Sequence, residues 1–214
     1  MSETATARSE RLEPEDQARA DFYALLARLF RASPDAALLR AIAGAPPLAP
    51  SASAEGNDDM GAALAVAWNA LRSASATVDL DATRDEYQTL FVGVGRSEVS
   101  LYASHYVGPQ SGRPLAEIRA ALAELGLARR PAESEFEDHL ALILETMRML
   151  VAGDAQRPPA EISAQRRFFD RYLMPWAPAC CTAIEDSSVA NYYRRVAQFS
   201  RSFVEIEEAA FAIA

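Results

Sequence analysis

The side chains most able to do chemistry cluster at residues 135–139, which read EFEDH. Carboxylates beside a histidine could bind a metal ion, transfer protons or accept hydrogen bonds from a cationic ligand. The sequence contains two histidines, so metal binding or catalysis by histidine would have to use His139 or His105. Neither lies in a His-Glu-x-x-His or Glu-x-x-His pattern, and we therefore expect no metal site.

The acidic residues of this cluster have two interpretations. Ser134 and Glu137 have the spacing of a capping box, so a helix is expected to begin at Ser134. Acidic side chains stabilise the positive end of a helix dipole by about 0.3 to 1 kcal/mol each, which alone would explain Glu135 and Asp138. Alternatively, the carboxylates accept charge-assisted hydrogen bonds from arginine, worth about 1.5 to 3 kcal/mol each where water is excluded. An arginine-bearing peptide would fit the second interpretation.

The two cysteines, Cys180 and Cys181, are adjacent in the sequence. Adjacent cysteines are badly placed for an unstrained disulfide within one chain, and they lack the paired spacing of a zinc site. Their local sequence also contains no base that would activate a thiolate nucleophile. We therefore expect two thiols packed on a helix.

A second group of polar and aromatic side chains lies in the connection spanning residues 96–113. Tyr102, Ser104, His105 and Tyr106 occur there among small residues and without helical periodicity. Loops with such side chains are often functional. The glycines of this connection match neither a phosphate-binding loop nor a dinucleotide fingerprint, so nucleotide binding is an alternative that no motif supports.

Helical periodicity positions both groups. Residues 133–153 carry apolar side chains at helical spacing on nearly every side, which predicts a central helix. Amphipathic stripes at residues 22–30 and 192–206 predict two further helices. Pro114 is typical of a first helical residue, and Gly126 is typical of the residue that ends a helix.

Other helix boundaries are predicted from capping residues and prolines. Ser33 before Pro34 is expected to cap a short second helix, and Thr83 with Glu86 forms a capping-box pattern for a later one. Pro175 is expected to end or kink a helix that contains Phe168 and Leu173.

The composition favours one all-α domain of helical-bundle type with about 8 to 10 helices. Leucine and alanine dominate, β-branched residues are sparse, and no alternating pattern of strand length occurs. A chain of 214 residues can bury an adequate core without disulfides or metals. We expect a flexible tail at residues 1–13, one helical domain over residues 14–214, and exposed connections near 45–56 and 153–160.

Charge and hydropathy restrict the function classes. The formal net charge of -9 argues against nucleic-acid binding, which requires a basic face, and makes cationic partners more plausible. The N-terminus lacks an apolar signal region, and no run approaches the roughly 20 apolar residues of a membrane span. We therefore expect a cytoplasmic protein without stable membrane insertion.

Three short motifs, in the right order, resemble the TorD/DmsD family of cytoplasmic redox-enzyme maturation chaperones, which includes the NarJ branch. Residues 135–139 resemble the family's Glu-Pro-x-Asp-His motif, with Phe136 in place of the proline. Residues 87–93, YQTLFVG, resemble an aromatic-x-x-Leu-Phe-x-Gly segment. Residues 102–106, YASHY, resemble the aromatic and serine loop that follows it. The resemblance covers about residues 15–205.

The resemblance implies a TorD-like fold and a chaperone, not an enzyme, without a cofactor of its own. Such a chaperone binds the twin-arginine signal peptide of a molybdoenzyme precursor and assists cofactor insertion before export. Its partners would be that peptide and the apo enzyme, of the dimethyl sulfoxide reductase, trimethylamine N-oxide reductase or formate dehydrogenase type. The oligomeric state stays open between a monomer and a domain-swapped homodimer, because the connections near 45–56 and 153–160 would permit domain swapping.

The resemblance also suggests roles for individual residues. Asp138, with Glu135 or Glu137, would bind the arginines, while Ser104 and His139 would supply hydrogen bonds. An apolar groove for the rest of the peptide would be lined by Tyr87, Leu90, Phe91, Tyr102 and Tyr106. Ordinary core packing is the competing explanation for Leu90 and Phe91. The alternative function is a small metal-dependent or hydrolytic enzyme that uses His139 and the neighbouring carboxylates.

Overall fold

The computed structural model describes residues 12–49, 58–93, 97–108, 114–127 and 135–213. Over these ranges the chain forms ten α-helices and two π-helical turns, and its only extended pairing is a single bridged residue pair. The all-α prediction is thus confirmed. The helices are α1 (Pro14–Arg31), α2 (Ala36–Gly44), α3 (Asp58–Thr77), α4 (Leu80–Tyr87), α5 (Ala103–Tyr106), α6 (Pro114–Glu124), α7 (Leu140–Ala152), α8 (Ile162–Phe168), α9 (Ala177–Asp186) and α10 (Tyr192–Ile213).

The core lies where α1, α7 and α10 meet their neighbours. Among the described elements, α1 and α7 share the most extensive contact, while α10 packs against α3 and α9. Helix α7 is buried on most sides, as its apolar sequence predicts, with Ile143, Leu144 and Met147 almost fully enclosed. Helix α1 contributes the wholly buried Leu26 and Phe30 to the same cluster.

Two π-helical turns interrupt the α-helical geometry. Gln88–Val92 follows α4 and ends at Gly93, whose φ of 63° favours glycine. Phe169–Leu173 follows α8, and α9 begins only after Pro175, so the predicted break at that proline is confirmed. Each π turn is a local bulge of one extra residue in the hydrogen-bonding pattern.

The cysteines of α9 behave as predicted. Cys180 and Cys181 are unpaired and wholly buried. Burial raises the pKa of Cys181 to about 12 and that of Cys180 further, so both thiols stay protonated at neutral pH.

The predicted caps of the second and fourth helices are wrong. Helix α2 is capped by Asp35, whose carboxylate accepts the N–H of Leu38 at 2.7 Å, and not by Ser33. Helix α4 is capped by Asp79, which accepts the N–H of Ala82 at 2.8 Å. In both cases the N-cap residue is an aspartate, whose carboxylate is a better hydrogen-bond acceptor than a hydroxyl.

Glu86 serves a distant helix instead of closing a local capping box with Thr83. Its carboxylate accepts the backbone N–H groups of Asn191, Tyr192 and Tyr193 at 2.8, 3.0 and 2.8 Å. The buried charge therefore lies at the positive end of α10 and satisfies donors that this helix leaves unpaired. It also fixes α10 to α4.

A buried ion pair joins the two ends of the described chain. Glu207 of α10 accepts from Arg19 Nε at 2.7 Å, from Arg19 Nη2 at 2.9 Å and from the Tyr23 hydroxyl at 2.8 Å. Burial and the adjacent Glu207 carboxylate raise the pKa of Tyr23 well above its ordinary value. Gln165 of α8 accepts a further bond from Arg19, so one cluster fixes three helices.

Two glycines end helices in the left-handed region. Gly126 follows α6 with φ of 67°, which confirms the predicted stop, and Gly153 follows α7 with φ of 70°. At Gly153 a Cβ atom would meet the Arg157 carbonyl oxygen at 2.5 Å, so a side chain there is excluded by space as well as by conformation.

The predicted domain limits are described only in part. Residues 1–11 of the predicted tail and residues 50–56 of the first connection lie outside the described residues. The second connection is a turn in which the Asp154 carboxylate accepts the N–H groups of Gln156 and Arg157 at 2.8 and 2.9 Å. Within the described part of the chain, no helix is both long and apolar enough to cross a membrane.

Candidate functional site

The structure brings together the two segments that the sequence singles out. We call residues 135–139 the acidic turn and residues 97–108 the tyrosine loop. They meet in an antiparallel bridge between Tyr102 and His139. The N–H of Ala103 donates to the Asp138 carbonyl at 2.9 Å, and the N–H of Leu140 donates to the Leu101 carbonyl at 2.8 Å. The tyrosine loop therefore fixes the acidic turn at the start of α7.

The predicted start of α7 at Ser134 is wrong. The helix begins at Leu140, and His139 is its N-cap, with Nδ1 accepting the Ala141 N–H at 3.1 Å. Ser134 itself lies outside the described residues. The acidic turn therefore precedes α7, and its carboxylates lie on a bend of the chain and not on the helix.

Two members of the acidic turn are enclosed. Asp138 is 2% exposed and His139 is 5% exposed. The Asp138 carboxylate accepts the backbone N–H of Ser104 at 3.2 Å, and the His139 ring packs edge-on against Tyr102 at 4.9 Å between centroids. The Ser104 side chain is exposed beside them. In this structure Asp138 and His139 hold the shape of the turn.

Glu135 lies half-buried beside two tyrosines. The hydroxyl of Tyr102 donates to its carboxylate. Burial raises the pKa of Tyr102, and the hydrogen bond and charge of Glu135 raise it further. Burial and, to a smaller extent, the Glu135 charge together raise the pKa of Tyr87 to about 12, against the opposing charge of Arg31. The Glu135 carboxylate therefore contributes to the raised pKa of both tyrosine hydroxyls.

Glu137 already binds an arginine. Arg119 of α6 donates from Nε to Glu137 Oε2 at 3.0 Å. The arginine side chain is 48% exposed, whereas the glutamate is 11% exposed. Arg119 lies 18 residues upstream, and no local pattern in the sequence connects it with the turn. The acidic turn thus offers a geometry in which a guanidinium is bound at the surface.

Phe136 stands between the two glutamates and is 52% exposed. This is the position at which the resembled motif has proline. A large apolar ring at the tip of an acidic turn is unusual, because water contacts most of it. It gives the turn an apolar surface next to its charges.

The predicted groove residues of α4 and its π-helical turn lie mainly in the core. Leu90 is wholly buried, and the Tyr87 hydroxyl donates to the Phe30 carbonyl at 3.3 Å. Phe91 is half-buried and packs edge-on against Tyr193 at 5.0 Å. Packing accounts for these contacts, and a role of Tyr87, Leu90 and Phe91 in peptide binding stays a prediction.

Tyr106 lies on the other side of the tyrosine loop. Its hydroxyl donates to the Ser100 carbonyl at 2.9 Å, and its ring stacks on Trp176 at 5.7 Å between centroids. Burial raises its pKa well above the ordinary value. Beside it, a pocket of about 200 Å³ opens between α5, α6 and the segment that leads into α9. No local sequence pattern predicts this pocket, because its walls come from three separate parts of the chain.

The described residues contain no group of three histidine, cysteine or acidic side chains placed to hold a metal ion. His105 is exposed on α5 and packs against Tyr106. What the site can do chemically is accept hydrogen bonds from cations and contact apolar groups.

Comparison with known proteins shows the family of the chain. A family model described as "Nitrate reductase delta subunit" matches residues 57–182, more than half of the chain. An uncharacterized protein of Haemophilus influenzae is 28% identical over 144 residues, which are 65% of this chain and 70% of that protein.

Two named relatives are chaperones. Chaperone protein TorD of Photobacterium profundum is 27% identical over 129 residues, 56% of this chain and 59% of that protein. The perchlorate reductase assembly chaperone protein of Dechloromonas aromatica is 26% identical over 144 residues, 60% of this chain and 64% of that protein. The matches therefore span less than two thirds of the length of both named chaperones.

These matches decide between the two functional classes that the sequence left open. The alternative of a small metal-dependent or hydrolytic enzyme finds no support in them, because the family is one of chaperones and not of enzymes. The match also begins before α3 and continues into α9, so it includes both the tyrosine loop and the acidic turn. The chain belongs to the nitrate reductase delta subunit family, the TorD-like family of assembly chaperones.

Proposed function

We propose that this protein is a cytoplasmic chaperone that binds the twin-arginine signal peptide of a molybdoenzyme precursor through its acidic turn. The observation that carries the proposal is the ion pair between Arg119 and Glu137, in which the turn already binds a guanidinium at 3.0 Å. A peptide arginine has the same chemistry and reaches the same surface. Family membership supports the chaperone role.

The carboxylates of the turn have different tasks in this proposal. Glu135 and Glu137 flank the exposed Phe136 and bind the two peptide arginines, because a carboxylate accepts the paired N–H groups of a guanidinium. Asp138 is too deeply buried to meet a peptide in this structure, so it positions the turn through its bond to the Ser104 N–H. His139 positions the turn by capping α7.

Binding of this kind makes and breaks no covalent bond. The chaperone holds the signal peptide while the apo enzyme receives its molybdenum cofactor, and it thereby delays export until loading is complete. The net charge of -9 favours the approach of a cationic peptide.

The test is a calorimetric titration with three synthetic peptides that carry Arg-Arg, Lys-Lys or Gln-Gln in an otherwise identical signal sequence. We expect the Arg-Arg peptide to bind at least about tenfold more tightly than the Lys-Lys peptide, because lysine cannot form the bidentate bond. The Gln-Gln peptide should bind weakest.

Glu135→Gln and Glu137→Gln should each weaken Arg-Arg binding by about tenfold or more, the loss expected when one charge-assisted bond is removed. Glu208→Gln is the matched control, because it makes the same change of net charge at an exposed position of α10. Equal affinity for all three peptides, or an equal effect of the control, would refute the proposal.

A further inference from the structure

Helix α6 is thinly attached to the rest of the protein. Of its 11 residues, Ile118 and Leu122 are buried, whereas 8 of the 13 residues of α7 are. Among the described elements, the largest contact of α6 is with the four-residue helix α5. The pocket of about 200 Å³ lies under α6, so the inner face of the helix is incompletely packed. A helix with so few buried contacts opens locally at a lower free-energy cost than a core helix does.

Arginine side chains bind α6 at both of its ends. Near its start, Arg171 of the π-helical turn Phe169–Leu173 donates to Glu117. Just after its end, Arg157 of the turn that follows α7 donates to the Leu125 and Gly126 carbonyls at 3.2 and 2.9 Å. The two arginine side chains are 61% and 38% exposed. Exposed bonds of this kind contribute little each, so they hold α6 in place without fixing it permanently.

A third arginine bond joins α6 to the acidic turn. Arg119 donates to Glu137 at 3.0 Å and covers part of a carboxylate that is 11% exposed. A peptide guanidinium that forms a bidentate bond with this carboxylate has to take the place of Arg119. Because Arg119 belongs to α6, the helix and the peptide compete for the same carboxylate.

We propose that α6 is a cover of the acidic turn, closed by Arg119 in the free protein and displaced as a unit when a client arginine binds Glu137. The inference rests on the proposed function and adds its regulation, because the protein itself closes part of the site. The measured affinity is then the intrinsic affinity multiplied by the fraction of molecules in which α6 is open. A change that frees α6 should tighten peptide binding even when it alters no side chain of the acidic turn.

The first test loosens the far end of α6. Arg157→Ala removes the bonds to Leu125 and Gly126 and leaves the side chains of the acidic turn as they are. Arg148→Ala is the matched control, because it removes the same charge from an ion pair with Glu145 within α7. By calorimetry, Arg157→Ala should bind the Arg-Arg peptide about two- to fivefold more tightly than Arg148→Ala does.

The second test holds the cover shut. Glu117→Cys combined with Arg171→Cys places one thiol on α6 and one on the π-helical turn, where the two native side chains meet. A short bismaleimide joins these thiols, whereas Cys180 and Cys181 are wholly buried and do not react. The bridged protein should bind the Arg-Arg peptide about tenfold or more weakly than the same variant before bridging.

The control for the bridge is Arg166→Cys combined with Asp170→Cys, which replaces an exposed ion pair outside α6. Mass spectrometry confirms that both bridges have formed. The control should bind the peptide equally well before and after bridging, because its bridge leaves α6 free.

The third test follows the helix directly by hydrogen exchange of the wild-type protein. Binding of the Arg-Arg peptide should speed the exchange of the backbone amides of residues 118–124 and slow that of the acidic turn. Displacement of the Arg119 side chain alone would leave the exchange of α6 unchanged, and a helix that closes over the peptide would exchange more slowly.

The outcomes separate the two proposals. If neither the wild-type protein nor the unbridged cysteine variant binds the Arg-Arg peptide, the proposed function is refuted and the cover with it. If the peptide binds and bridging α6 leaves the affinity unchanged, arginine recognition stands and the cover is refuted. Equal affinities of Arg157→Ala and Arg148→Ala, or exchange of α6 that is unchanged or slower with peptide bound, would also refute the cover alone.

Discussion

Glu207 and Glu137 each bind an arginine, the first in the core and the second nearer the surface. Glu207 is 2% exposed and accepts two bonds from Arg19 and one from Tyr23. Glu137 accepts the Nε–H of Arg119, a side chain that is half exposed to solvent. The residue types are the same, but only the second pair has an arginine that is about half exposed, beside a glutamate that is 11% exposed. Exposure, and not residue type, separates a structural ion pair from one suited to recognition.

The largest expected effect comes from breaking the core pair. Glu207→Ala should lower the free energy of unfolding by about 3 kcal/mol, because the largely buried Arg19 guanidinium then keeps only the more exposed carboxylate of Asp16. Urea unfolding followed by circular dichroism measures the change. Arg84→Ala, which breaks an exposed pair with Asp81, is the control and should leave the stability unchanged. Equal stability of the two variants would remove the distinction between core and surface pairs.

A second core carboxylate should have an intermediate effect. Glu86→Ala removes the acceptor for three N–H groups at the start of α10 and should cost about 2 kcal/mol. Asp79→Ala, which removes the exposed cap of α4, should cost about 1 kcal/mol in the same urea experiment. A larger loss of stability in Asp79→Ala than in Glu86→Ala would show that the bonds from Glu86 to α10 stabilise the protein less than the local cap does.

A substitution in the acidic turn should lower the free energy of unfolding by less. His139→Ala removes the N-cap of α7 and should cost about 1 kcal/mol of stability, while it also weakens Arg-Arg peptide binding by changing the shape of the turn. His105→Ala is the matched control, because His105 is exposed and is not the N-cap of a helix. Unchanged peptide affinity in His139→Ala would show that the turn does not need this cap for recognition.

The smallest expected effect is a gain, in peptide affinity. Arg119→Ala removes the arginine of this chain that competes for Glu137, so peptide affinity should rise about two- to fivefold, the equivalent of less than 1 kcal/mol. Stability should be unchanged, since an exposed pair contributes little. Titration calorimetry of the variant measures the gain.

Arg201→Ala is the control for Arg119→Ala. Arg201 is 40% exposed and pairs with a Glu185 that is 15% exposed, which resembles the exposures of the Arg119 pair, but it lies on α10. Its removal should not change peptide affinity. Weaker binding in Arg119→Ala would show that Arg119 supports the turn instead of competing with the peptide.

Features that depend on near neighbours in the chain were predictable from the sequence. The stripe of α7, the first residue of α6 at Pro114 and the stop at Gly126 all follow from side-chain periodicity or backbone freedom. The burial of Cys180 and Cys181 was expected because free cysteines usually pack in the core and the adjacent spacing excludes a zinc site or an unstrained disulfide. In each case the determinant lies within a few residues of its effect.

Features that depend on distant partners were not predictable. Glu86 has the spacing of a local cap but binds α10, more than 100 residues later. Ser134 and Glu137 have the spacing of a helix start, yet the Tyr102 bridge and the His139 cap place the start at Leu140. Sequence spacing shows which bonds are locally available, whereas the folded chain chooses among them by tertiary geometry.

Under the proposed function, the bridge between Tyr102 and His139 links peptide binding to unfolding. It ties the tyrosine loop to the acidic turn, which leads directly into α7, and α7 has its largest contact with α1. A peptide that binds only the intact turn therefore opposes the opening of the core. At a free peptide concentration of 100 times Kd, linkage predicts a gain of about 2.7 kcal/mol in unfolding free energy. Under the proposed function, a bound client segment should therefore protect the chaperone from proteolysis.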